Sequence, residues 1–533
     1  MRSRRKLETT EYRTYGPPGT GKTTWVVAEA SRHAERVGPD QVSICSLTNS
    51  AVSEVVDRKI PLDPDNITTL HARCKRALGA PAPAESRVDE FIRDVPEGSK
   101  GLPKVRMKLK EAEDEEDDSP LAESVMVGNG ISLYERSQIL RQRMTPQSEW
   151  PSEVKRWHTL WQDWCNQMGI SDFTGWLEDA VEVRPLPSQQ VIYVDEAQDH
   201  TPLQLEVIRR WNCRARVLVG DDDQNLYEWS GAVPKEFFHP PLPEGRETVL
   251  NQSYRVPITV RRLANHWIRG VSSRKEKTYL PTPTEGLVSS VDFSMEDMHM
   301  GILPPAMDFS DGRVHMIITT CAYMLSPILD LLEAEGIHYH NPFRPSARMW
   351  NPLGSVSKTL DAYLIPSEKG RRWLGEEAHR WAKILQAHDV FLPGKRKAFL
   401  EYCEDYPREE VPPEVLRKHM LEGQMRRAIS GDLGLLKDYR KMGVPGRWKD
   451  GLSLYSNSSG NRSPSVIVGT IHSVKGGEAD VVHLFPDLSP MAFREYKDGG
   501  IDRVIRLFYV GMTRSREELH LYRPSGDYGI PIL

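Results

Sequence analysis

Long apolar runs are missing from this 533-residue sequence. No stretch approaches the roughly 20 residues that a membrane-spanning helix needs, so none is expected. Cysteine is scarce as well. The six present (Cys45, Cys74, Cys165, Cys213, Cys321 and Cys403) stand far apart with no C-x-x-C pair, which excludes a zinc ribbon or a disulfide framework and fits a reducing cytoplasm. There is no excess of basic charge: 70 Lys and Arg face 75 Asp and Glu, for a net charge of −5. Any nucleic-acid contact must therefore come from local patches rather than a global field. The start, MRSRRK, is basic but has no apolar stretch behind it, so a signal peptide is not expected. No internal repeat is visible. What remains is an ordinary globular mixture, 39% hydrophobic and 27% charged, long enough for roughly three or four domains.

Several short β-branched runs end abruptly at small, turn or charged residues: VSICS (42–46), VIYVDEAQD (191–199), VLVGDDDQ (217–224), VHMIITT (314–320), VIVGT (466–470) and VVHLFPD (481–487). Runs without polar alternation suit parallel strands covered on both faces. Helix-like stretches such as TTWVVAEASRHAERV (23–37) and LQLEVIRRW (203–211) lie between them, which predicts an α/β fold. The strands fall into one group before about 250 and another after about 310, hence two sheets. Two segments fit neither. Residues 81–185 carry the acidic run EAEDEEDD (111–118), read as a solvated loop, and then turn helical. Residues 346–463 are helical, basic and punctuated by Pro and Gly, ending in SNSSGNRSPS. Each reads as an insertion. Trp157, Trp161 and Trp164 share one helix face and are expected to be the core of the first. The basic stretch from Arg417 to Lys449 is either a solvated helical face or a duplex-facing patch.

Chemistry enters at Gly16-Pro17-Pro18-Gly19-Thr20-Gly21-Lys22-Thr23, which fits G-x-x-x-x-G-K-[ST] between a strand (YRTY) and a helical run. Gly16, Gly19 and Gly21 let the backbone wrap phosphates with its N–H groups, helped by Thr20 and Thr24. Lys22 reaches the outer phosphates and the Thr23 hydroxyl can hold Mg²⁺. At the end of the apolar run VIYV, Asp195 and Glu196 supply what a nucleotide site needs next. Asp195 would serve the metal and Glu196 would polarise an attacking water. A glutamate base implies hydrolysis rather than transfer to an organic acceptor, which favours a motor or switch over a small-molecule kinase.

These motifs have company. DEAQD (195–199), GDDDQNLYEWSGA (220–232), LNQSYRVP (250–257), TIHSVKGGEADVV (470–482) and LFYVGMTRSREELHL (507–521), with SLTNSAVSEV (46–55) and ITTLHARC (67–74) upstream, resemble in order the signatures of UvrD/Rep-type superfamily 1 DNA helicases. That resemblance implies two RecA-like lobes: residues 1–80 with 186–280, and 281–345 with 464–533. Their helical insertions would be 81–185 and a reduced 346–463. It implies that Gln224 senses the γ-phosphate, Tyr254 stacks on adenine, Arg255 and Arg514 reach the γ-phosphate from the two lobes, and Glu478 bonds the ribose. The plainer alternative for the two arginines is a surface ion pair. On the DNA side it implies backbone contacts from Thr48, Asn49, Thr69, His71 and His472, and base stacking on Tyr227 and Trp229, with a packed structural aromatic as the alternative for Trp229.

The sequence also departs from the pattern. No glutamine precedes Gln41, so the family's adenine-reading glutamine is missing; Leu47 and Leu70 replace phenylalanines, and Ser230 replaces an arginine. The resemblance implies ATP- and Mg²⁺-dependent 3′-to-5′ unwinding of DNA in replication, repair or recombination, on single strands and junctions. The protein would act as a monomer or weak dimer in the cytoplasm of a bacterium or of a phage's host. The rivals are a translocase that strips proteins from single strands, an ATP-controlled DNA-binding switch and an RNA-directed motor.

Overall fold

A computed structural model describes residues 9–47, 58–80, 82–102, 132–183, 189–335, 337–344, 370–385, 387–435 and 465–532, with scattered positions within 52–56 and 347–366. The acidic run 111–118 and the loop SNSSGNRSPS up to its last residue, Ser465, lie outside them, as do Thr48, Asn49 and the stretch 436–450. Two compact units emerge: Met1–His299 with Met316–Leu325 and Thr470–Leu533, and Met300–His315 with Ser326–Gly469.

The fold is α/β, with two six-stranded sheets. The first contains β1 (Thr10–Tyr15), β2 (Val42–Ser46), β3 (Ile67–Thr69), β4 (Val191–Val194), β5 (Ala215–Gly220) and β6 (Glu247–Val249), in the order β3-β2-β4-β5-β1-β6. Its pairings are parallel, β1 running alongside β5 from Thr10↔Ala215 to Tyr15↔Gly220. β2 and β4 are buried along their whole length, which is why both read as unbroken apolar runs. Helix Lys22–Val37 covers one face. It buries Val26, Ala30 and Ala34, four residues apart, in one core with Val42, Ile44, Tyr193 and Val219. Helix Pro202–Arg210 covers the other, opened by a capping box in which Thr201 and Gln204 bond each other's backbone N–H. Parallel order has a direct consequence. β4, β5 and β1 are neighbours, so the loops leaving their carboxyl ends, Asp195-Glu196, Asp221–Gln224 and Gly16–Gly21, open side by side where ligands of such sheets bind.

The second sheet contains β7 (Leu287–Val291), β8 (His315–Thr319), β9 (Tyr339–His340), β10 (Val466–Thr470), β11 (Ala479–Leu484) and β12 (Ser515–Tyr522), in the order β7-β12-β11-β8-β10-β9. β11 pairs with β12, and β12 with β7, in parallel. Between these strands run helices Pro490–Lys497 and Ile501–Met512; Arg514 sits two residues beyond the second.

The first insertion is helical, with helices Val88–Asp94, Leu133–Gln142, Ser152–Met168 and Phe173–Val183. Trp157, Trp161 and Trp164 are its core, packed round Phe91, whose ring lies 4.9 Å from that of Trp161. Beside them is a buried polar knot. Arg141 bonds Asp172 at 2.6 Å and Trp161 Nε1 donates to Asp172 at 2.9 Å. The Tyr134 hydroxyl donates to Glu85 at 2.6 Å. Arg141 holds Asp172 ionised against its burial, at about 2. Glu85 makes no ion pair among the described residues, and burial, then the charge of Asp172, pushes it from 4.5 up to about 8. A raised carboxyl stabilises the fold fully below 4.5, and that contribution is lost as pH rises through about 8. Relative to the wild type, Glu85→Gln should therefore gain melting temperature, on the order of 5 °C between pH 5 and 9, followed by tryptophan fluorescence. A constant difference between the two proteins across that range would contradict this.

The helical part of the second unit has its own aromatic core of Tyr363, Trp373, Trp381 and Phe399, with the Trp373 and Trp381 rings 4.7 Å apart. Of the basic stretch beginning at Arg417, Arg426 pairs with Glu422 at 2.5 Å and Arg427 with Asp432 at 2.6 Å, as a solvated helical face would.

Candidate active site

The glycine-rich loop takes its shape from two residues in the left-handed region, Gly19 (φ 72°) and Gly21 (φ 74°). At Gly19 no side chain could be added, because a Cβ would lie 2.5 Å from that of Arg255. This close approach docks residues 253–255 onto the loop. Ser253 Oγ donates to the Pro18 carbonyl at 2.8 Å, and Tyr254 N to the Gly19 carbonyl at 2.8 Å. Tyr254 is then left 76% exposed beside the loop, a free ring face. Thr24, at the start of the helix, is exposed and accepts from Arg58 at 2.6 Å.

Lys22 Nζ donates to the Gly16 carbonyl at 3.2 Å and lies 3.8 Å from Glu196. Thr23 Oγ1 donates to Asp195 at 3.0 Å. That hydroxyl and carboxylate are hard oxygen donors at the mouth of the loop, a set that fits Mg²⁺ completed by substrate phosphates and water. Glu196 has φ 49°, a strained value for a residue with a side chain. Its N–H donates to Asp195 Oδ1 at 2.9 Å, its carbonyl accepts from Asp199 N at 3.0 Å, and its carboxylate accepts from Gln198 Nε2. Burial would raise Glu196, but Lys22, Lys475, the Gln198 bond and Arg514 more than offset it and hold the carboxyl low. Asp195 moves the other way, raised by burial and by the charge of Glu196.

Gln224 joins both ends of the chain. Its Nε2 donates to Asp221 at 2.7 Å and to the Gly16 carbonyl at 3.3 Å, and its Oε1 accepts from Arg514 at 3.4 Å. Arg514 is 2% exposed. Its other hydrogen bonds go to the Val510 and Gly477 carbonyls, and among the described residues it makes no ion pair. Burial, then the charge of Arg255, pushes the guanidinium down to about 9. Arg255 Nε donates to Glu478 at 2.6 Å, and Arg516 holds the same carboxylate at 3.3 Å. The two residues expected to meet the γ-phosphate and the ribose thus pair with each other here.

Comparison with known proteins identifies this layout. A family model described as the UvrD/REP helicase N-terminal domain matches residues 5–239, and one described as the UvrD-like helicase C-terminal domain matches residues 465–522. Together they take in more than half of the chain. The chain belongs to the UvrD/REP helicase family. The ATP-dependent DNA helicase PcrA of Bacillus subtilis is 31% identical over 143 residues, 26% of this chain and 18% of that protein. PcrA of Staphylococcus aureus is 35% identical over 101 residues, 18% of this chain and 14% of that protein. The putative ATP-dependent DNA helicase YjcD of Bacillus subtilis is 22% identical over 294 residues, 49% of this chain and 38% of that protein. The matched stretches span well under two thirds of each relative's length.

In this UvrD/REP-family chain a second face lies next to the first. Tyr227 and Trp229 sit with ring centroids 6.0 Å apart. Trp229 and His472 line one cavity of about 120 Å³ with Asn225, Thr320, Ser489 and Arg503. Trp229 Nε1 finds no acceptor among the described residues. Of the early motif residues, Thr69 caps helix Leu70–Leu78 by accepting from Ala72 N at 3.3 Å. His71 packs edge-on against Phe173, and its burial lowers it to about 4. Leu70 is buried in the core of the first sheet. Lys475 was not foreseen from the sequence. It pairs with Asp199 and lies 5.0 Å from the Tyr227 ring centroid, so that Tyr227, Lys475, Asp199, Gln198 and Glu196 form a continuous chain of contacts. A cation inside the motif TIHSVKGGEADVV was the available signal. Among the described residues no helix is long and apolar enough to cross a membrane.

Proposed function

We propose that this chain is an ATP-dependent DNA helicase that moves 3′ to 5′ on single strands and opens duplexes in DNA replication, repair or recombination in the bacterial cytoplasm. One observation supports the reading: Lys22, Glu196, Gln224 and Arg514, far apart in the sequence, join one network of contacts at the glycine-rich loop, and its most buried cation, Arg514, makes no ion pair among the described residues. A buried guanidinium whose hydrogen bonds go to neutral acceptors, and whose burial the charges of Glu196 and Glu478 only partly offset, is a site that a phosphate would stabilise.

In this reading the loop Gly16–Gly21 and Lys22 hold the phosphates, Tyr254 offers its exposed ring to the base, and Glu478 exchanges Arg255 for the ribose. Thr23 and Asp195 would hold Mg²⁺, which supplies charge neutralisation on the phosphate oxygens. Ionised Glu196 orients the attacking water. Arg255 and Arg514 stabilise charge on the transferring group, a contribution worth about 10³–10⁵ in rate for one such arginine. The lobes are assigned as residues 1–80 with 186–280, and 281–345 with 464–533, with insertions 81–185 and 346–463. Arg514 belongs to the second, so ATP draws the lobes together and hydrolysis releases them. Tyr227 and Trp229 stack on bases of any sequence, and the Lys475–Asp199–Gln198 chain carries their occupancy to Glu196. Thr48, Asn49, Thr69, His71 and His472 complete the DNA track.

The test is ATP turnover with and without oligo-dT, followed by strand displacement on 3′- and 5′-tailed duplexes. DNA should raise turnover at least tenfold, and only 3′-tailed duplexes should open. Turnover indifferent to DNA would point to an ATP-controlled switch and overturn the motor; release of streptavidin from biotinylated DNA without strand displacement would leave a translocase.

A further inference from the structure

The three consecutive aspartates at the end of β5 are buried, and a cluster of carboxylates out of water is strongly unfavourable without close cations. The cations come from residues 272–279, a segment in which the sequence shows no motif. Lys277 Nζ lies 2.9 Å from Asp221 and 3.0 Å from Asp223 and bonds Asp222 as well, with 2% of its side chain exposed. Arg274 holds Asp223 through both oxygens, at 2.8 and 2.5 Å. Lys275 N donates to Asp222 at 2.8 Å. The same segment grips the helix that leads to Arg514. Ser272 donates to Asp502 from its N–H at 3.0 Å and its hydroxyl at 2.6 Å. Arg506 donates to the Ser273 carbonyl at 2.8 Å and the Asp222 carbonyl at 3.0 Å.

Of the three carboxylates, Asp221 is the one that bonds the Gln224 side chain. Asp221 gives one oxygen to Lys277 and the other to Gln224 Nε2. An amide has a donor end and an acceptor end, and the acceptor at Asp221 fixes which way Gln224 faces: Nε2 toward Gly16, Oε1 toward Arg514. Turned over, it would set its donor against a guanidinium and its acceptor against carbonyl and carboxylate oxygens. Buried ion clusters are weak stabilisers compared with apolar packing, so what this one supplies is geometry.

We propose that Lys277, assisted by Arg274, is a positioning residue for ATP hydrolysis: it holds the Asp221–Gln224 turn against the helix leading to Arg514, and so sets the orientation of Gln224 between the glycine-rich loop and that arginine. This rests on the ATPase reading above. It adds that residues 272–279, outside every nucleotide motif, control turnover through Gln224 rather than through nucleotide or DNA binding.

The test is a kinetic cycle with Lys277→Met, Gln224→Ala and the double variant, each also carrying Asp222→Asn so that removing the lysine leaves no additional uncompensated buried carboxylate. In the Asp222→Asn background, Lys277→Met should lower kcat by about 10- to 100-fold, the scale of a misplacement of about 1 Å, with the KM for ATP and the Kd for oligo-dT within threefold. Gln224→Ala should erase that effect, so that the double variant is no slower than Gln224→Ala alone. Lys277→Arg should recover most of the rate. A folded Lys277→Met chain with unchanged kcat, or one whose loss persists in full without Gln224, would overturn the proposal. A parent protein that does not turn over ATP would overturn the ATPase reading itself, whereas an active parent with an equally active Lys277→Met overturns this inference alone.

Discussion

Glutamine in place of Glu196 should leave ATP binding within about threefold of wild type and lower turnover by about 10²–10⁴, the span of a positioned base. The substitution keeps shape and an acceptor for Gln198, so the strained backbone at this position, fixed by Asp195 and Asp199, has no reason to move. What is lost is the negative charge. Lys22, Lys475 and Arg514 surround Glu196 and hold its carboxyl low in spite of burial. It is therefore ionised throughout the neutral range and, in the proposed mechanism, would act by orienting and polarising water. No acid limb from Glu196 should appear in a turnover profile between pH 6 and 9, because a carboxyl held low is protonated only well below that window. Binding is read with a fluorescent ATP analogue and turnover by phosphate release. A Glu196→Gln enzyme turning over at the wild-type rate would remove this residue from the mechanism.

The second large effect is expected at Arg514. Alanine there should reduce turnover by about 10³–10⁵ while oligo-dT binding stays within a few fold. The guanidinium is buried, makes no ion pair among the described residues and is pushed down to about 9 by burial and by Arg255, so the protein's own groups only partly offset the burial of its charge. In the proposed mechanism that charge is offset by phosphate oxygens. Lysine should not substitute, because one ammonium cannot bond Gln224, the Gly477 carbonyl and a phosphate with the planar fork that arginine presents. Equal losses in turnover and in DNA binding would instead mark Arg514 as a general structural residue.

Most of the first sheet and the pocket could be read from the sequence because burial on both faces leaves an unmistakable mark. The runs at 42–46, 191–194, 217–220, 315–319, 466–470 and 481–484 became strands, and those at 191–194 and 217–220 lead directly into Asp195-Glu196 and Asp221–Gln224. β6 and β7 escaped notice for the opposite reason: they lie at sheet edges with largely exposed or half-buried residues, so no apolar run announces them. β3 and β9, at three and two residues, are too short for any periodicity. The tryptophan face at 157, 161 and 164 followed from helical spacing alone.

Residues whose meaning depends on long-range pairing were the ones missed. Lys277 and Arg274 have no local signal of their own. Their signal was in the partner, since three aspartates closing an apolar strand must draw cations from somewhere. Lys475 was hidden inside a motif already assigned to other roles. The engagement of Glu478 by Arg255 and Arg516 could not be foreseen either, because linear order shows which charges exist and not which of them meet.

Mixing two inactive variants tests most directly whether one chain builds the whole pocket. Lys22→Ala removes the cation proposed to bind phosphate and Arg514→Ala the cation from the far end of the sequence; ATP turnover of each alone, and of an equimolar mixture with oligo-dT, should remain near background. An active Arg514→Ala protein, or a mixture that regains a substantial fraction of wild-type turnover, would show that the two cations do not serve one triphosphate within a single chain.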